Sequence, residues 1–381
     1  MAVLTPRWGG GGESAWALRQ VAGALALSAD VHVLTPQGEA RRGWADGVVT
    51  VHQIGAGRDP RAATRRDLLL HLLDAAGGPT AEERRSVHAS LDADQQAWDT
   101  LAELLDAVHP DLVVLADHRE PGAARLAERC CPDVPVVSVP LAMTRSLPAD
   151  PYFASWWARS GGALVFSEGE ASLVRGAAPQ LAVHDVGLPL AANPSVQREP
   201  LLFVEEELPY VLVLSGVPWR SAEWPTALLS LLPAGLPDHG VVVAATDRLV
   251  GFRHGEERQT AGVERGTDLL RLLSWARATV DLRPGPLYGR RSIEALLYGS
   301  PVVVPAGSRA RQHAESGGGL WFSGAGELLW AVEALFDDGV HGALARRGRH
   351  YAEQRYRGTE AFVDRVNRAV APVVAGVAGA A

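Results

Sequence analysis

Short runs of mostly apolar residues recur along this chain, and each is followed by a turn and a segment with helical spacing. Residues 2–5 and 31–35 read as buried strands, with a helical run at 14–27 between them in which Trp16, Leu18, Val21, Leu25 and Leu27 stand near helical spacing. Strand, turn, helix and strand make a crossover unit, and a crossover joins parallel neighbours. The unit returns in DLVVLADH (111–118) and VPVVSVP (134–140), which flank a helix at 121–128, and in GALVFSEGEASLVRG (162–176). Between them, residues 56–109 read as helical and polar. Near Leu188 the texture changes: GLPLAANPSVQREPLLFVEEELP holds four prolines and no clear period, as an inter-domain linker does. Alternation then restarts with YVLVLSG, a helix at 222–232, GVVVAAT, a helix at 268–276, ATVDLRP, a helix from Ser292, SPVVVP, and helices at 325–336 and 340–354. The expected fold class is α/β, two Rossmann-like doubly wound domains with a boundary near 195/196. Ligands of such open sheets bind beyond the carboxyl ends of the strands, here in a cleft between the domains.

Composition bounds the function classes. At 381 residues the chain exceeds one typical core. All 36 basic residues are arginine, so no Schiff-base lysine exists. A net charge of −8 argues against non-specific nucleic-acid binding. Cys130 and Cys131 are adjacent and alone, which builds neither a disulfide framework nor a four-ligand zinc site and points to a reducing compartment. The start MAVLTPRW lacks the pattern of a signal peptide, and the apolar runs are too short to cross a bilayer. A cytoplasmic protein is expected.

Several stretches could carry chemistry. The run Gly9–Gly12 precedes a helix, where backbone N–H groups can meet a phosphate, although a tight turn needs the same residues. The next strand ends Leu34-Thr35-Pro36-Gln37, without the acid that a dinucleotide fold sets on the ribose, so a dehydrogenase reading is poor. A second phosphate candidate is Gly289-Arg290-Arg291-Ser292 at a helix start, with Glu294 in the first turn, where an acid also simply complements the helix dipole. Asp117 and His118 close a strand at its carboxyl end, and such a histidine can move a proton near neutral pH. Arg220 follows the first strand of the second domain and reads either as a cleft cation or as a surface arginine packed on Trp219. Arg58, Arg61, Arg65 and Arg66 read as a solvated face before a phosphate or membrane contact. Trp156 and Trp157 could stack a sugar, but a packed helix is the simpler role. No Asp-x-Asp stands at a cleft-facing strand end, and no metal site is expected.

With these residues assembled, the chain resembles the retaining glycosyltransferases of family 4, which have the GT-B fold. GGGGESAWALRQVAGALALSADVHVLTP is similar to their opening, ALVFSEGEASLVR to their "VSE" helix, and HDVGLPL to the approach to their hinge. TDLLRLLSWARATVDLRPGPLYGRRSIEALLYGSPVVVPAGSRARQHAESGGGLWF follows their donor-binding region, and RYRGTEAFVDRV their terminal helix. The resemblance implies that residues 1–195 hold an acceptor, that 196–356 bind a nucleoside diphosphate sugar as substrate with no separate cofactor, and that a helix at about 357–381 packs back on the first domain. It further implies that Glu294 holds the ribose, that Gly289 to Ser292 meet the pyrophosphate with Tyr288 beside them, and that Gly11 and Gly12 approach from the other side. Three positions depart from the family pattern. Pro286 stands where the sugar-side glutamate belongs, Leu141 where a histidine is expected, and Val217 near the place of the cleft arginine and lysine, for which Arg220 is the available stand-in. The expected function is retaining transfer without a metal, Asp117, His118 and Arg220 being the catalytic candidates. The alternatives left open are an inactive GT-B subunit that steers a protein partner, and a coupling enzyme acting on a cyclitol-like donor.

Overall fold

The computed structural model describes residues 1–6, 8, 13–36, 41–55, 80–82, 85, 95–116, 121–141, 154–190, 192, 210–216, 232, 234–236, 239–245, 248–253, 256–262, 265–283, 289–308, 310–356 and 358–378. The chain divides into two compact units, Met1–Leu188 with Glu360–Ala381, and Pro189–Thr359.

The strands of the first unit are β1 (Ala2–Leu4), β2 (His32–Thr35), β3 (Arg41–Asp46), β4 (Val49–Gln53), β5 (Val113–Ala116), β6 (Val136–Val139), β7 (Gly162–Val165) and β8 (Ala182–Asp185). They form one sheet in the order β3-β4-β2-β1-β5-β6-β7-β8, parallel throughout except where β3 meets β4. The central strands β1 and β5 are wholly buried, as apolar runs without a polar face require. The helix Glu13–Ala26 crosses from β1 to β2 and buries Leu18, Val21 and Leu25. Leu27, counted with that face in the sequence, lies past the helix end and is exposed. Trp98, Leu101 and Leu105 pack with Leu126 and Trp157 in the core, so Trp157 offers no surface to a sugar. The side chain of Trp156 lies outside the described residues. The closing helix Gly358–Ala378 joins this unit, where Arg365 Nε donates to the Val186 carbonyl at 2.7 Å.

The second unit repeats the plan with β9 (Tyr210–Leu214), β10 (Gly240–Ala244), β11 (Arg248–Arg253), β12 (Glu256–Gly262), β13 (Ala278–Asp281), β14 (Val302–Pro305) and β15 (Gly319–Phe322). The order is β12-β11-β10-β9-β13-β14-β15, with β11 and β12 antiparallel to their neighbours. Val211, Val213, Val241, Val243, Val280 and Val303 form the core with Leu328, Val332 and Leu344 from the helices Ala325–Ala334 and Asp338–Tyr356. Each sheet thus ends in an antiparallel hairpin that the sequence pattern does not reveal. RRGWAD and EERQTAG, the outermost strands, are edge strands with one neighbour each, and an edge strand needs no continuous apolar run. Among the described residues no helix is long and apolar enough to cross a membrane.

Candidate functional site

Three apolar or small residues, Ala278, Thr279 and Val280, carry β13 between β9 and β14 and leave Asp281 at the carboxyl edge of the sheet, opposite Leu214. Asp281 is buried, and a buried carboxylate must be paired. Its partner comes two residues on, a spacing that returns a side chain to the same side of an extended chain. Arg283 grips it with both branches, Nε to Oδ1 at 2.8 Å and Nη2 to Oδ2 at 2.7 Å. Ser292, itself fully buried, donates its hydroxyl to Asp281 Oδ2 at 2.9 Å. Burial by itself pushes the Asp281 carboxyl up. The Arg283 guanidinium and the Ser292 hydroxyl outweigh that effect and hold it below the ordinary carboxylate value. Arg283 also lies against the backbone beyond β9, where a Cβ on Gly216 would come within 2.8 Å of its Cγ. One cation is therefore clamped where the ends of β9 and β13 meet.

The helix that follows begins at Arg290 and runs to Tyr298. Its N-cap, Gly289, has φ 75°, in the left-handed region, and a Cβ there would lie 2.8 Å from His313 Cδ2 and 2.9 Å from Nε2. Glycine satisfies both constraints. Gly289 has no side chain with which to cap this helix start, and the first-turn N–H groups have no partner from within the helix. Glu294 is the fifth helical residue rather than a first-turn acid, and its environment is set by two arginines. Arg290 Nε donates to Oε1 at 2.9 Å and Arg291 Nη1 to Oε2 at 2.6 Å, with Glu294 at 7% side-chain exposure and the arginines at 24% and 23%. A carboxylate has about four lone-pair positions, so two remain for hydroxyl donors such as those of a ribose. Among the described residues of this patch three arginines face two carboxylates, a net charge of +1 beside the helix N-terminus.

Five sequence candidates therefore come together here: Gly289, Arg290, Arg291, Ser292 and Glu294. Ser292 can offer its backbone N–H, its hydroxyl being taken by Asp281. Gly11, Gly12, Asp117, His118, Arg220 and Tyr288 lie outside the described residues, as do Pro286 and Val217. Leu141 follows β6 as a buried apolar residue at 4% exposure. Sequence reasoning missed Asp281, Arg283 and His313. An aspartate and an arginine two positions apart at the end of a buried strand was the available signal for the first pair. His313, fully buried with Nδ1 3.0 Å from the Tyr351 hydroxyl and edge-on to Tyr356, carries no such local signal. It forms the wall behind the Gly289 turn. Among the described residues no group of His, Cys, Asp and Glu is arranged to hold a metal.

No family model and no curated protein matches this chain. Solved structures do. An α,α-trehalose 6-phosphate synthase from Burkholderia multivorans superposes with a TM-score of 0.68 at 12% identity, over 100% of this chain and 97% of that one. A sucrose-phosphate synthase from Thermosynechococcus elongatus gives 0.64 at 13%, over 98% and 99%. A trehalose-6-phosphate protein from E. coli bound with UDP-2-fluoro glucose gives 0.63 at 10%, over 96% and 98%. At these identities the likeness defines the fold. The chain has the α/β GT-B fold, two parallel-rich sheets with flanking helices, matched over its full length.

Proposed function

We propose that this chain is a divergent retaining glycosyltransferase of the family 4 type, which binds a nucleoside diphosphate sugar on its second unit and passes the sugar to an acceptor held by the first. The observation that carries the reading is the patch at the carboxyl edge of the second sheet: a left-handed glycine N-cap, a helix N-terminus and three arginines positioned by two acids. The neighbour holding UDP-2-fluoro glucose adds support through its shared fold alone.

In this reading the first-turn N–H groups and Arg290 and Arg291 take the diphosphate, and the free lone pairs of Glu294 take ribose hydroxyls. The bond from the anomeric carbon to the phosphate oxygen breaks, and the acceptor oxygen attaches from the same face. The acceptor proton passes to the departing phosphate. Asp117 and His118, directly after β5, are the proposed groups for acceptor positioning or proton transfer. Negative charge grows on the leaving diphosphate as the bond breaks, and cations already fixed in place lower that barrier. Arg283, which lies against Gly216 just beyond β9, is the proposed substitute for the missing cleft pair, with Arg220 as a further candidate. Losing one such donor costs roughly 10²–10³ in rate. No separate cofactor enters the scheme.

Melting curves of the full chain with UDP, GDP, ADP, dTDP and their sugars test the donor site. At 100 times its dissociation constant, one nucleotide should stabilise the protein by about 2.7 kcal/mol, and Glu294→Ala should remove the shift. Flat curves with every nucleotide would sink the reading. Turnover that survives Arg290→Ala, Arg291→Ala and Arg283→Ala undiminished would remove the role given to the arginines.

A further inference from the structure

The opposite edge of the same sheet carries a second concentration of cations. The segments that lead into β13 and β14 pass through Arg277 and through Tyr298–Gly299, and these residues border a cavity of about 520 Å³. This is the amino edge of the sheet, so the cavity and the Asp281–Arg283 pair lie at opposite ends of β13. The helix Asp338–Tyr356 closes the cavity with His341, Arg346, Arg349 and His350. Trp275, exposed at 39%, stands at its wall.

Part of this charge is explained by the fold. Two helices, Arg265–Trp275 and Arg290–Tyr298, point their carbonyl ends this way, and cations suit helix C-termini. Arg349 Nη2 donates to the Tyr298 carbonyl at 3.1 Å. Arg277 is engaged by the Leu335 and Phe336 carbonyls at 2.8 and 3.2 Å and by Asp338 at 2.6 Å. His341 is driven toward its neutral form by burial and by the charge of Arg277. What remains is Arg346 and His350, both exposed and one turn apart on one helix, neither with a hydrogen bond or ion pair among the described residues. Glu353 is the one carboxylate among the lining residues. The cavity therefore carries one arginine and one imidazole beyond what its helix ends engage, beside an exposed indole.

We propose that this cavity is a binding site for a small phosphorylated ligand that carries a ring. The phosphate sits between Arg346 and His350, where the planar guanidinium offers paired donors, and the ring lies on Trp275. The volume is within the range of small-ligand sites. The proposal does not depend on the activity assigned to the opposite edge.

Calorimetric titration of the full chain with phenyl phosphate, against inorganic phosphate and phenol, tests it. Phenyl phosphate should bind with one-to-one stoichiometry and more tightly than either fragment. Arg346→Glu and, separately, His350→Ala should each weaken it by about tenfold or more, the effect of one charge-assisted hydrogen bond. Trp275→Ala should abolish the preference for phenyl phosphate over phosphate. Arg290→Ala, at the far end of the connecting helix, should leave the titration unchanged. Because Arg346 and His350 are exposed, unaltered melting temperatures will show that both variants fold. Absence of saturable heat overturns the proposal, and so does binding that survives both substitutions or that disappears in Arg290→Ala.

Discussion

The two edges of the second sheet hold similar numbers of cations and treat them differently. At the carboxyl edge three described arginines are tied to carboxylates: Arg283 to Asp281, and Arg290 and Arg291 to Glu294, at side-chain exposures between 5% and 24%. At the amino edge Arg346 and His350 stand in solvent with no such tie among the described residues. Cations held by buried acids are oriented before a ligand arrives, which suits a site that must stabilise charge without reorganising. Solvated cations on long side chains lose rotamer freedom on binding and suit a weaker, reversible contact. Folding has spent stability-bearing contacts on one edge and left the other free to change.

The sharpest way to break that contrast is Asp281→Ala. It removes the carboxylate that grips the Arg283 guanidinium, itself at 17% exposure, and removing one member of such a pair costs about 3–5 kcal/mol, read as a lowered urea midpoint. The loss should depend on pH. Because the folded-state pKa of Asp281 is depressed, its stabilisation is present above the unfolded value and disappears as pH falls through the lower folded value. Wild type and variant should therefore differ fully at pH 7 and begin to converge only as pH falls below about 4. A gap that persists unchanged in acid would show that the carboxylate charge is not the cause.

Gly289→Ala comes next. The left-handed backbone costs about 1–2 kcal/mol, with the overlap on His313 in addition. His313→Ala in the same chain should recover the steric share but not the backbone share, so the two substitutions should be non-additive. Strict additivity would mean that the turn and the histidine do not press on one another. Glu294→Gln should cost less, about 1–2 kcal/mol, since an amide oxygen still accepts from one arginine. Its clearer signature should be a weakened nucleotide-induced shift in melting temperature. The smallest effect belongs to the other edge: Arg346→Ala should change stability by no more than about 0.5 kcal/mol, as an exposed residue without partners does. A large loss there would erase the distinction between the two edges.

Much of the fold was legible because its signals are local. YVLVL, GVVVA and VVVP are apolar over their whole length, and the helices beside them show their period without any tertiary help. The pairing of Glu294 with Arg290 and Arg291 was also within reach, since residues three and four apart share a helix face. Sequence reasoning assigns both arginines to a phosphate without foreseeing that they also hold Glu294, which is the fifth helical residue rather than a first-turn acid. His313 was illegible: nothing near QHAE indicates that its ring will sit behind Gly289, 24 positions away, against Tyr351 and Tyr356.

What this chain's sequence determined alone is the succession of buried strands and amphipathic helices, because each is set by side chains within one or two turns of one another. The tertiary structure decided which residues share an edge. Asp281 meets Ser292 because β13 lies beside β9 and β14 and the next helix starts over its end. Arg277 and Arg349 close helix ends contributed by segments 58 and 51 positions away. Such partners are chosen by strand order and helix packing, and those are settled by burying the whole apolar surface at once rather than by any short stretch.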